Sequence, residues 1–310
     1  MKITFAVLAF NHSKYILDHL NSLKFLIKKF KYNSIELIIS DDASSDNTVE
    51  IVDKWLAINK NCFNKVVKLY NEKNIGTVQS CINIINNTNT KFIKITAGDD
   101  LYCVTDIAEI ITQYSDYEII SGLPVYLRGQ TISRDKFSDF IHISSSIVYE
   151  PNKRAYCLSA TNAPNLIYKT NFLKKIIDSK HVNNVTYVED FLFYALASKF
   201  NFKFMQLDFP LVIYRRTDQS AYLIKSNQIN NDMNYIFTIL RNEANLFYKL
   251  LIVSKQMLYN IRPFFLKYFL NIAFYYYFYL VIRNFFLILR SFNAILINID
   301  ELNDNFKDLI

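Results

Sequence analysis

The sequence lacks the glycine patterns that mark several common enzyme classes. Only four of its 310 residues are glycine, and none stands in a Gly-x-Gly-x-x-Gly, Walker or Gly-x-Ser-x-Gly pattern. These absences exclude the usual dinucleotide-binding loop, the P-loop and the nucleophile elbow of serine hydrolases. Asn-His-Ser-Lys follows the first apolar run, where a nucleotidyltransferase of similar fold has a glycine-rich basic loop.

The cysteines and histidines also form no recognisable site. None of them makes a Cys-x-x-Cys pair or has the spacing of a zinc site. The cysteines predict reduced, mostly buried thiols and a cytoplasmic protein, and we expect the histidines to be structural or surface residues. The residues concerned are Cys62, Cys81, Cys103, Cys157, His12, His19, His142 and His181.

What the chain does have is a core-forming composition and an uneven charge. Hydrophobic residues make up 51% of the sequence, and the formal net charge is +7. Residues 225–290 hold eight basic and two acidic side chains, so the excess charge is carboxy-terminal. These charges alternate with long apolar stretches and have no base-reading motif around them, which argues against a nucleic-acid partner.

The spacing of apolar residues predicts an α/β fold with a mainly parallel sheet. The start of the chain runs into polar residues without a cleavage site, so we interpret it as a strand and not as a signal sequence. Strands and helices alternate through the first hundred residues, which implies right-handed crossovers. The predicted strands are 3–9, 35–40, 66–69, 91–96, 117–121, 165–168, 204–207 and 211–214. The predicted helices are 13–30, 47–58, a segment from Gly76, 105–114 capped by Thr105, and one from a Thr186–Glu189 capping box to about Phe200.

Two pairs of adjacent aspartates stand where predicted strands end. Asp41-Asp42 follows residues 35–40, and Asp99-Asp100 follows residues 91–96. Ligands of open α/β sheets bind outside the carboxyl ends of the strands. The two pairs are therefore expected to converge on a site for a cation and a nucleotide, since four crowded carboxylates without a counter-charge would repel one another.

Several segments together resemble the family 2 glycosyltransferases of the GT-A fold, of the type that builds bacterial O-antigen or capsule. In the amino-terminal part, Val7–Asn11 is similar to the family's strand-end turn, Ser40–Thr48 to its Asp-Asp-Gly-Ser-x-Asp-x-Thr element, and Asn74–Gly76 to its Asn-x-Gly turn. Further along, Gly98–Asp100 is similar to the family's Asp-x-Asp-Asp, Glu189-Asp190 to its acceptor-side Glu-Asp, and Tyr214 through Ser220 to its closing Tyr-Arg-x-His-x-x-Ser. Ala43, Ala97 and Thr217 depart from the family pattern.

The resemblance implies inverting, metal-dependent transfer of a sugar from a nucleotide diphosphate, most simply UDP, to a lipid-linked or growing surface glycan. Asp42 is expected to recognise the base, with Phe10 and Asn11 as the wall of its site, and Ala9 is a nucleotide-sugar candidate next to them. Asp41 and Gly76 are further nucleotide-sugar candidates. The alternative is that Asp41 and Asp42 cap the following turn, and for Asp46 a helix cap is the preferred interpretation.

The second acidic pair is expected to hold Mn²⁺ or Mg²⁺. Asp100 is the expected direct ligand, with Asp99 directed to the ribose or to a metal-bound water. A solvated turn is the alternative.

Asp190 is the candidate general base that takes a proton from the attacking hydroxyl, with Glu189 in support. The alternative is that Asp190 is only a first-turn helix residue, favoured there by the helix dipole.

Arg215 and Arg216 are candidates for binding a diphosphate, because a guanidinium group can bind two oxygens at once. Surface ion pairs are the alternative for both arginines. Ala97 and Thr217 motivate a second hypothesis, an inactive relative that only binds a glycan or nucleotide.

The carboxy-terminal segment is expected to form aromatic-rich helices. Residues 268–282 carry no charge, but this stretch is shorter than the roughly 20 residues of a simple membrane span. Aromatic residues between lysines and arginines are typical of a water–lipid interface, so we expect peripheral or monotopic association with the inner face of the bacterial cytoplasmic membrane. Packing on the catalytic domain, a homodimer contact, a true membrane span and docking of a partner enzyme are the alternatives.

The predicted domain organisation follows from these segments. A glycosyltransferase domain occupies residues 1–225, with a nucleotide-sugar half at 1–115 and an acceptor half at 116–225. A helical extension that associates with a membrane or dimerises occupies residues 226–310. The donor sugar, the acceptor and the linkage depend on loops between residues 117 and 181 that contain no recognisable motif.

Overall fold

The computed structural model describes residues 2–156, 162–217, 226–259, 270–295, 298–302 and 304. The strands are β1 (Ile3–Ala9), β2 (Ile35–Asp41), β3 (Lys65–Tyr70), β4 (Phe92–Ala97), β5 (Leu101–Tyr102), β6 (Ile119–Ser121), β7 (Val125–Arg128), β8 (Thr131–Arg134), β9 (Leu166–Lys169), β10 (Phe204–Gln206) and β11 (Val212–Arg215). The α-helices are α1 (Ile16–Lys29), α2 (Thr48–Asn59), α3 (Thr77–Asn87), α4 (Ile107–Gln113), α5 (Lys136–Val148), α6 (Pro151–Arg154), α7 (Thr170–Ile177), α8 (Glu189–Ala197), α9 (Ser226–Glu243), α10 (Leu246–Tyr259), α11 (Ile272–Arg283) and α12 (Phe285–Asn293).

A seven-stranded sheet in the order β10-β6-β9-β4-β1-β2-β3 forms the centre of the molecule. Strands β1 to β4 run parallel, whereas β9 lies antiparallel between β4 and β6. The register places Ala9 of β1 beside Asp41 of β2, and Leu8 beside Ala97 of β4. Three strand ends therefore meet at one edge, and the predicted mainly parallel α/β class is confirmed.

Both faces of this sheet are covered by helices, which explains the continuous apolar runs of its strands. Phe5 and Val7 pack on the face covered by α1 and α2, while Ala6 and Ile38 pack with α3 and α8. Of the cysteines, Cys62, Cys81 and Cys103 are free thiols, as predicted, and Cys157 lies outside the described residues.

A second, four-stranded sheet in the order β5-β11-β7-β8 lies next to the site. Strand β5 directly follows Asp100, and β11 pairs with it in antiparallel register, Val212 opposite Tyr102. This pairing brings the segment from Tyr214 to Thr217 beside the Asp99-Asp100 turn. Ser220, the last residue of the predicted closing motif, lies outside the described residues.

Two predicted helix caps are wrong. Helix α4 is capped by Asp106, whose carboxylate accepts from the backbone N–H groups of Ala108 and Glu109, and not by Thr105. Helix α8 begins at Glu189 after Val188 without a side-chain cap. Thr186 stands outside that helix because its backbone groups make tertiary hydrogen bonds instead, donating to Asp232 and accepting from Val78.

The carboxy-terminal helices differ in how they are packed. Helix α9 shares a core with α8 and buries Ile236, Phe237 and Leu240 there, so this part of the predicted extension packs on the predicted domain. No single described helix is long and apolar enough to cross a membrane, although α11 and α12, joined at 80°, meet the length and composition criteria together. Helices α10 to α12 expose large apolar side chains, among them Phe286 at 85%.

Candidate functional site

A cavity of about 320 Å³ opens at the edge where β1, β2 and β4 end, a size that suits a small-molecule ligand. Its walls come from both predicted halves of the domain. Seven of the predicted site residues line it, namely Ala9, Phe10, Asp42, Asp99, Asp100, Glu189 and Asp190. The structure thus brings the predicted donor and acceptor carboxylates to one cavity, while their individual roles stay predictions.

Asn11 and Asp41 do not line the cavity and stabilise a turn beside it. The Asp41 carboxylate accepts from the backbone N–H of Ser44 at 2.8 Å and from its hydroxyl at 2.6 Å. Asn11 accepts from the backbone N–H of Ser45 at 2.8 Å. These contacts match the turn-capping alternative for Asp41. Ala43 in the same turn has φ +65°, which explains why the family pattern has glycine here.

Asp42 reaches the cavity but already holds the next turn. Its carboxylate accepts from Asn71 Nδ2 at 3.0 Å and from the backbone N–H groups of Ile75 and Gly76 at 2.8 and 2.9 Å. Gly76 itself does not line the cavity. It has φ +85°, and a Cβ there would lie 2.4 Å from Thr186 Cγ2. Gly76 therefore allows close packing between the two halves of the site, and its predicted role at the ligand stays a prediction.

Asp100 is the most buried of the cavity's carboxylates, with 1% of its surface exposed. Its Oδ1 accepts from the backbone N–H of Arg215 at 2.9 Å, whereas its buried Oδ2 has no hydrogen-bond partner among the described residues. Burial, and next the charge of Asp99, hold the pKa of Asp100 well above its usual range. A buried carboxylate oxygen without a partner requires a proton or a cation.

The residues at this turn fit a divalent cation held jointly with a substrate. In the described part of the chain, His, Cys, Asp and Glu side chains form no group of three that could hold a metal by themselves. Mg²⁺ and similar hard cations are commonly bound by one or two carboxylates plus substrate phosphates. Asp99 and Asp100 supply such a pair, and Oδ2 of Asp100 is the carboxylate oxygen that has no hydrogen bond and could bind the metal.

Arg215 fixes the acidic turn and does not line the cavity. Its Nε donates to the carbonyl oxygen of Asp99 at 2.8 Å, and its Nη2 lies 2.9 Å from the Asp18 carboxylate. The guanidinium also lies 4.8 Å from the centre of the Tyr15 ring. These contacts show that Arg215 positions the turn, and its predicted diphosphate contact stays a prediction. Arg216 likewise lies outside the cavity, its guanidinium 4.1 Å from the Tyr126 ring.

Glu189 and Asp190 are half-buried on the first turn of α8. Burial, and next the charge of Asp190, raise the pKa of Glu189 to about 8. Oδ1 of Asp190 accepts from the backbone N–H of Phe191 at 2.8 Å. The Glu189–Asp190 pair therefore retains a proton to higher pH than two separate carboxyl groups would, which lowers the like-charge repulsion at this side of the cavity.

Asp232 is a supporting residue that the sequence interpretation missed. It lies on α9, is 1% exposed, and its Oδ2 accepts from the backbone N–H groups of Thr186 and Tyr187 at 3.0 and 2.8 Å. It thereby holds the loop that leads into Glu189. The available signal was its place between Ile229 and Ile236, on an otherwise apolar helix face.

Lys94 also supports the site from inside the fold. It is fully buried on β4, and its Nζ donates to the carbonyl oxygen of Pro164, a cavity residue, at 2.5 Å. Burial lowers the pKa of Lys94 to about 7, against the opposing charge of Asp100. The signal here was a single charge inside the apolar run Phe-Ile-Lys-Ile.

The predicted structural role of the histidines is confirmed for His19 but not for His12. His19 is fully buried, its Nδ1 lies 2.8 Å from the carbonyl oxygen of Asp100, and burial lowers its pKa to about 4. His12, by contrast, lines the cavity next to Asp99. Its position directly after β1, at the same edge as the acidic pairs, was the signal.

Comparisons with known proteins bear on the activity of this site. TarS of Staphylococcus aureus, a poly(ribitol-phosphate) beta-N-acetylglucosaminyltransferase, is 29% identical over 182 residues, which are 56% of this chain and 28% of TarS. The abequosyltransferase RfbV of Salmonella typhimurium is 30% identical over 118 residues, which are 37% of this chain and 33% of RfbV. The chain thus matches about a third or less of the length of these relatives.

Solved structures share the fold at lower identity. The crystal structure of TarS residues 1–349 in complex with UDP-GlcNAc superimposes with a TM-score of 0.59 at 21% identity, over 83% of this chain and 72% of that one. The mannosyltransferase PcManGT from Pyrobaculum calidifontis, in complex with GDP-Man and Mn²⁺, gives a TM-score of 0.61 at 13% identity, over 91% and 74%. The predicted GT-A architecture is thereby confirmed. The family model for glycosyl transferase family 2 matches residues 4–176, more than half of the chain, and the protein belongs to this family.

Proposed function

We propose that the protein is an inverting, metal-dependent glycosyltransferase that moves a sugar from a UDP-linked donor to a bacterial surface glycan or its lipid-linked precursor. The observation that carries this proposal is the shared cavity, lined by Asp99 and Asp100 from one side and by Glu189 and Asp190 from the other. One acidic pair suits the donor's diphosphate with its cation, and the second supplies a base for the acceptor.

In the proposed reaction the acceptor displaces the nucleoside diphosphate directly, without a covalent enzyme intermediate. An acceptor hydroxyl oxygen attacks the anomeric carbon while the bond from that carbon to the diphosphate oxygen breaks. The electron pair of the broken bond leaves with the nucleoside diphosphate, and the hydroxyl proton passes to Asp190. Asp99 and Asp100 would hold a divalent cation, which would supply positive charge to offset the charge that develops on the leaving diphosphate. Attack opposite the leaving group inverts the anomeric configuration.

Two relatives support the choice of donor and acceptor class. TarS has been solved with UDP-GlcNAc and is named for transfer to poly(ribitol-phosphate), and RfbV is named for transfer of abequose. PcManGT supports cation use, since its structure contains Mn²⁺. We therefore propose a UDP-sugar as donor and Mn²⁺ or Mg²⁺ as cofactor.

The donor is tested by thermal stabilisation with a panel of UDP-, GDP- and dTDP-sugars, each with Mn²⁺ and with EDTA. Ligands that bind only the folded state raise its melting temperature, so we expect a shift with UDP-sugars that EDTA abolishes. Donors that bind are then assayed for release of UDP, with and without a surface-glycan acceptor. No shift with any nucleotide sugar would contradict the proposal.

An inactive glycan- or nucleotide-binding relative is the second candidate, because Ala97 and Thr217 depart from the family pattern. Both departures line the cavity, but Asp99 and Asp100 are present there as well. Metal-dependent turnover of any UDP-sugar excludes this candidate, whereas tight binding without turnover favours it.

We further propose that the apolar surface of α10 to α12 contacts the inner face of the cytoplasmic membrane. Its exposed side chains are Leu250, Met257, Ile272, Tyr275, Phe278, Tyr279, Ile282, Phe285, Phe286, Leu287 and Leu289. Exposed Lys249, Arg283 and Arg290 lie on the same helices. Large apolar patches mark interaction sites, and adjacent basic groups favour anionic lipid headgroups.

Vesicle flotation tests this contact. We expect binding to vesicles that contain phosphatidylglycerol and weaker binding to phosphatidylcholine alone. Phe286→Glu should reduce flotation, whereas Ile58→Glu, which alters an 80% exposed residue on α2, should not. A dimer in sedimentation that Phe286→Glu dissociates, with no vesicle binding, would favour the homodimer instead. Unchanged flotation of a Phe278→Glu, Phe286→Glu double variant of the full chain would contradict membrane contact through these helices.

A further inference from the structure

His12 occupies a fixed position between the first strand and the acidic turn. Its backbone N–H donates to Thr48 Oγ1 at 2.8 Å, which ties it to the start of α2. Its side chain, 19% exposed, lines the cavity with Nε2 4.0 Å from Oδ1 of Asp99. This distance is too long for a hydrogen bond, so a ligand atom can lie between the two groups.

The packing of the ring determines which nitrogen carries the proton in the neutral form. Nδ1 is buried, has no hydrogen-bond partner among the described residues, and faces Gly98, where a Cβ would lie 3.1 Å from it. A buried N–H without an acceptor is costlier and rarer than a buried acceptor without a donor. The favoured tautomer therefore has its proton on Nε2, the nitrogen beside Asp99 at the cavity.

The same packing argues against His12 as a metal ligand. A histidine that binds a metal through one nitrogen almost always donates its other N–H to a carboxylate, carbonyl or water. Nδ1 of His12 has no such acceptor among the described residues. The ring is thus arranged to donate a hydrogen bond into the cavity and not to share an electron pair with a cation.

We propose that His12 donates its Nε2–H to a diphosphate oxygen of the bound nucleotide, next to the carboxylates that hold the cation. The inference rests on the proposed function and adds to it a phosphate-binding residue from the β1 turn. A diphosphate oxygen held next to Asp99 and Asp100 would be within reach of this imidazole, because Nε2 of His12 lies 4.0 Å from Oδ1 of Asp99. The interaction would also stabilise the nucleoside diphosphate as a leaving group.

Calorimetric titration of three variants with UDP, UMP and uridine, each with Mn²⁺, tests the assignment. His12→Leu removes the donor, and His12→Asn places its amide only at the Nδ1 position. His12→Gln can place an N–H near Nε2. Since a hydrogen bond to a charged group is involved, we expect UDP binding to weaken about tenfold or more in the Leu and Asn variants. We expect a clearly smaller loss for His12→Gln and no change for uridine.

Any of the following results would contradict a hydrogen bond from His12 to the diphosphate. Equal UDP affinity in the wild type and in His12→Leu excludes a phosphate contact. An equal loss for UDP and uridine indicates a role at the nucleoside or in the fold, which thermal denaturation of the same samples separates. Weaker Mn²⁺ binding without nucleotide indicates a metal ligand. If the wild type binds no nucleoside diphosphate with Mn²⁺, the proposed function fails first.

Discussion

The two sides of the cavity hold their carboxylates in different ways. On the donor side, Asp42 accepts hydrogen bonds from the backbone N–H groups of the Ile75–Gly76 turn, and Asp100 accepts one from the last residue of β11. On the acceptor side, Glu189 and Asp190 stand on the first turn of α8, and Asp232 of α9 holds the preceding loop. The donor side is part of the sheet framework, whereas the acceptor side depends on a helix from beyond residue 225.

This difference suggests a division of tasks. Rigid strand ends suit a cation and a diphosphate, whose positions must be fixed before transfer. A loop held by one buried carboxylate suits a base whose protonation must respond to the substrate. Substitutions on the two sides should therefore separate binding from chemistry.

Asp190→Asn should have the largest effect on turnover. Losing the proton acceptor should lower kcat about 10²- to 10⁴-fold, while UDP binding with Mn²⁺ stays near the wild-type value. Asp100→Asn should instead abolish the Mn²⁺ dependence of UDP binding. Single-turnover transfer and calorimetry on both variants measure the two effects, with Asp178→Asn, an exposed residue after α7, as control. A near-normal rate in Asp190→Asn would remove Asp190 from its role.

Gly76→Ala should destabilise the junction between the two sides. At φ +85° and ψ 162° the backbone lies in a region that is almost restricted to glycine, and the added Cβ would meet Thr186 at 2.4 Å. We expect a loss of about 2–4 kcal/mol in the free energy of unfolding, measured by urea denaturation.

Gly129→Ala is the control for Gly76→Ala, because it adds a Cβ at a positive φ without a steric contact. Gly129 also has a positive φ, +60°, but a Cβ there meets nothing within 4 Å. We expect this variant to lose only about 1 kcal/mol, the conformational part of the cost. Equal losses in both glycine variants would show that contact with Thr186 contributes nothing.

The donor side was largely predictable from sequence because its signals are local. The aspartate pairs stand at the ends of apolar runs, so strand prediction alone places Asp42, Asp99 and Asp100 at one sheet edge. Local sequence patterns could not predict the hydrogen-bond partners of each side chain. Asp41 and Arg215 carry the expected charges, yet their hydrogen bonds to Ser44 and to the Asp99 carbonyl hold turns beside the cavity.

The acceptor side was predicted less completely because its supports come from distant segments. Thr186 and Glu189 have the spacing of a capping box, but Thr186 instead bonds to Asp232, 46 residues later. A tertiary contact of this kind overrides a local capping preference. His12 was missed for a different reason, since a single histidine gives no pattern until strand order places it beside Asp99.

Asp232→Ala should weaken the acceptor side selectively. It leaves the backbone N–H groups of Thr186 and Tyr187 without their acceptor, at a cost of about 1–3 kcal/mol in the free energy of unfolding. We expect kcat to fall more than the affinity for UDP, because the disturbed loop precedes Glu189. Asp232→Asn keeps one acceptor oxygen and should lose less, and Asn231→Ala, an exposed neighbour on α9, should lose little. A uniform loss of UDP affinity in Asp232→Ala would contradict this selectivity.

Glu189→Gln should change how the free energy of unfolding depends on pH. In the folded protein burial raises the pKa of Glu189 from 4.5 to about 8, so between these pH values the folded state binds more protons at this group than the unfolded state. The free energy of unfolding therefore falls as pH rises through this window. The contribution should not exceed about 2 kcal/mol, because water reaches the half-buried pair.

Urea denaturation of the wild type and of Glu189→Gln between pH 5 and pH 8 measures this effect as the difference between their free energies of unfolding, with exposed Glu72→Gln as control. The variant should become more stable relative to the wild type as pH rises, and a difference that stays constant or changes in the opposite direction would show that the Glu189 carboxyl ionises in the folded protein much as it does in the unfolded chain.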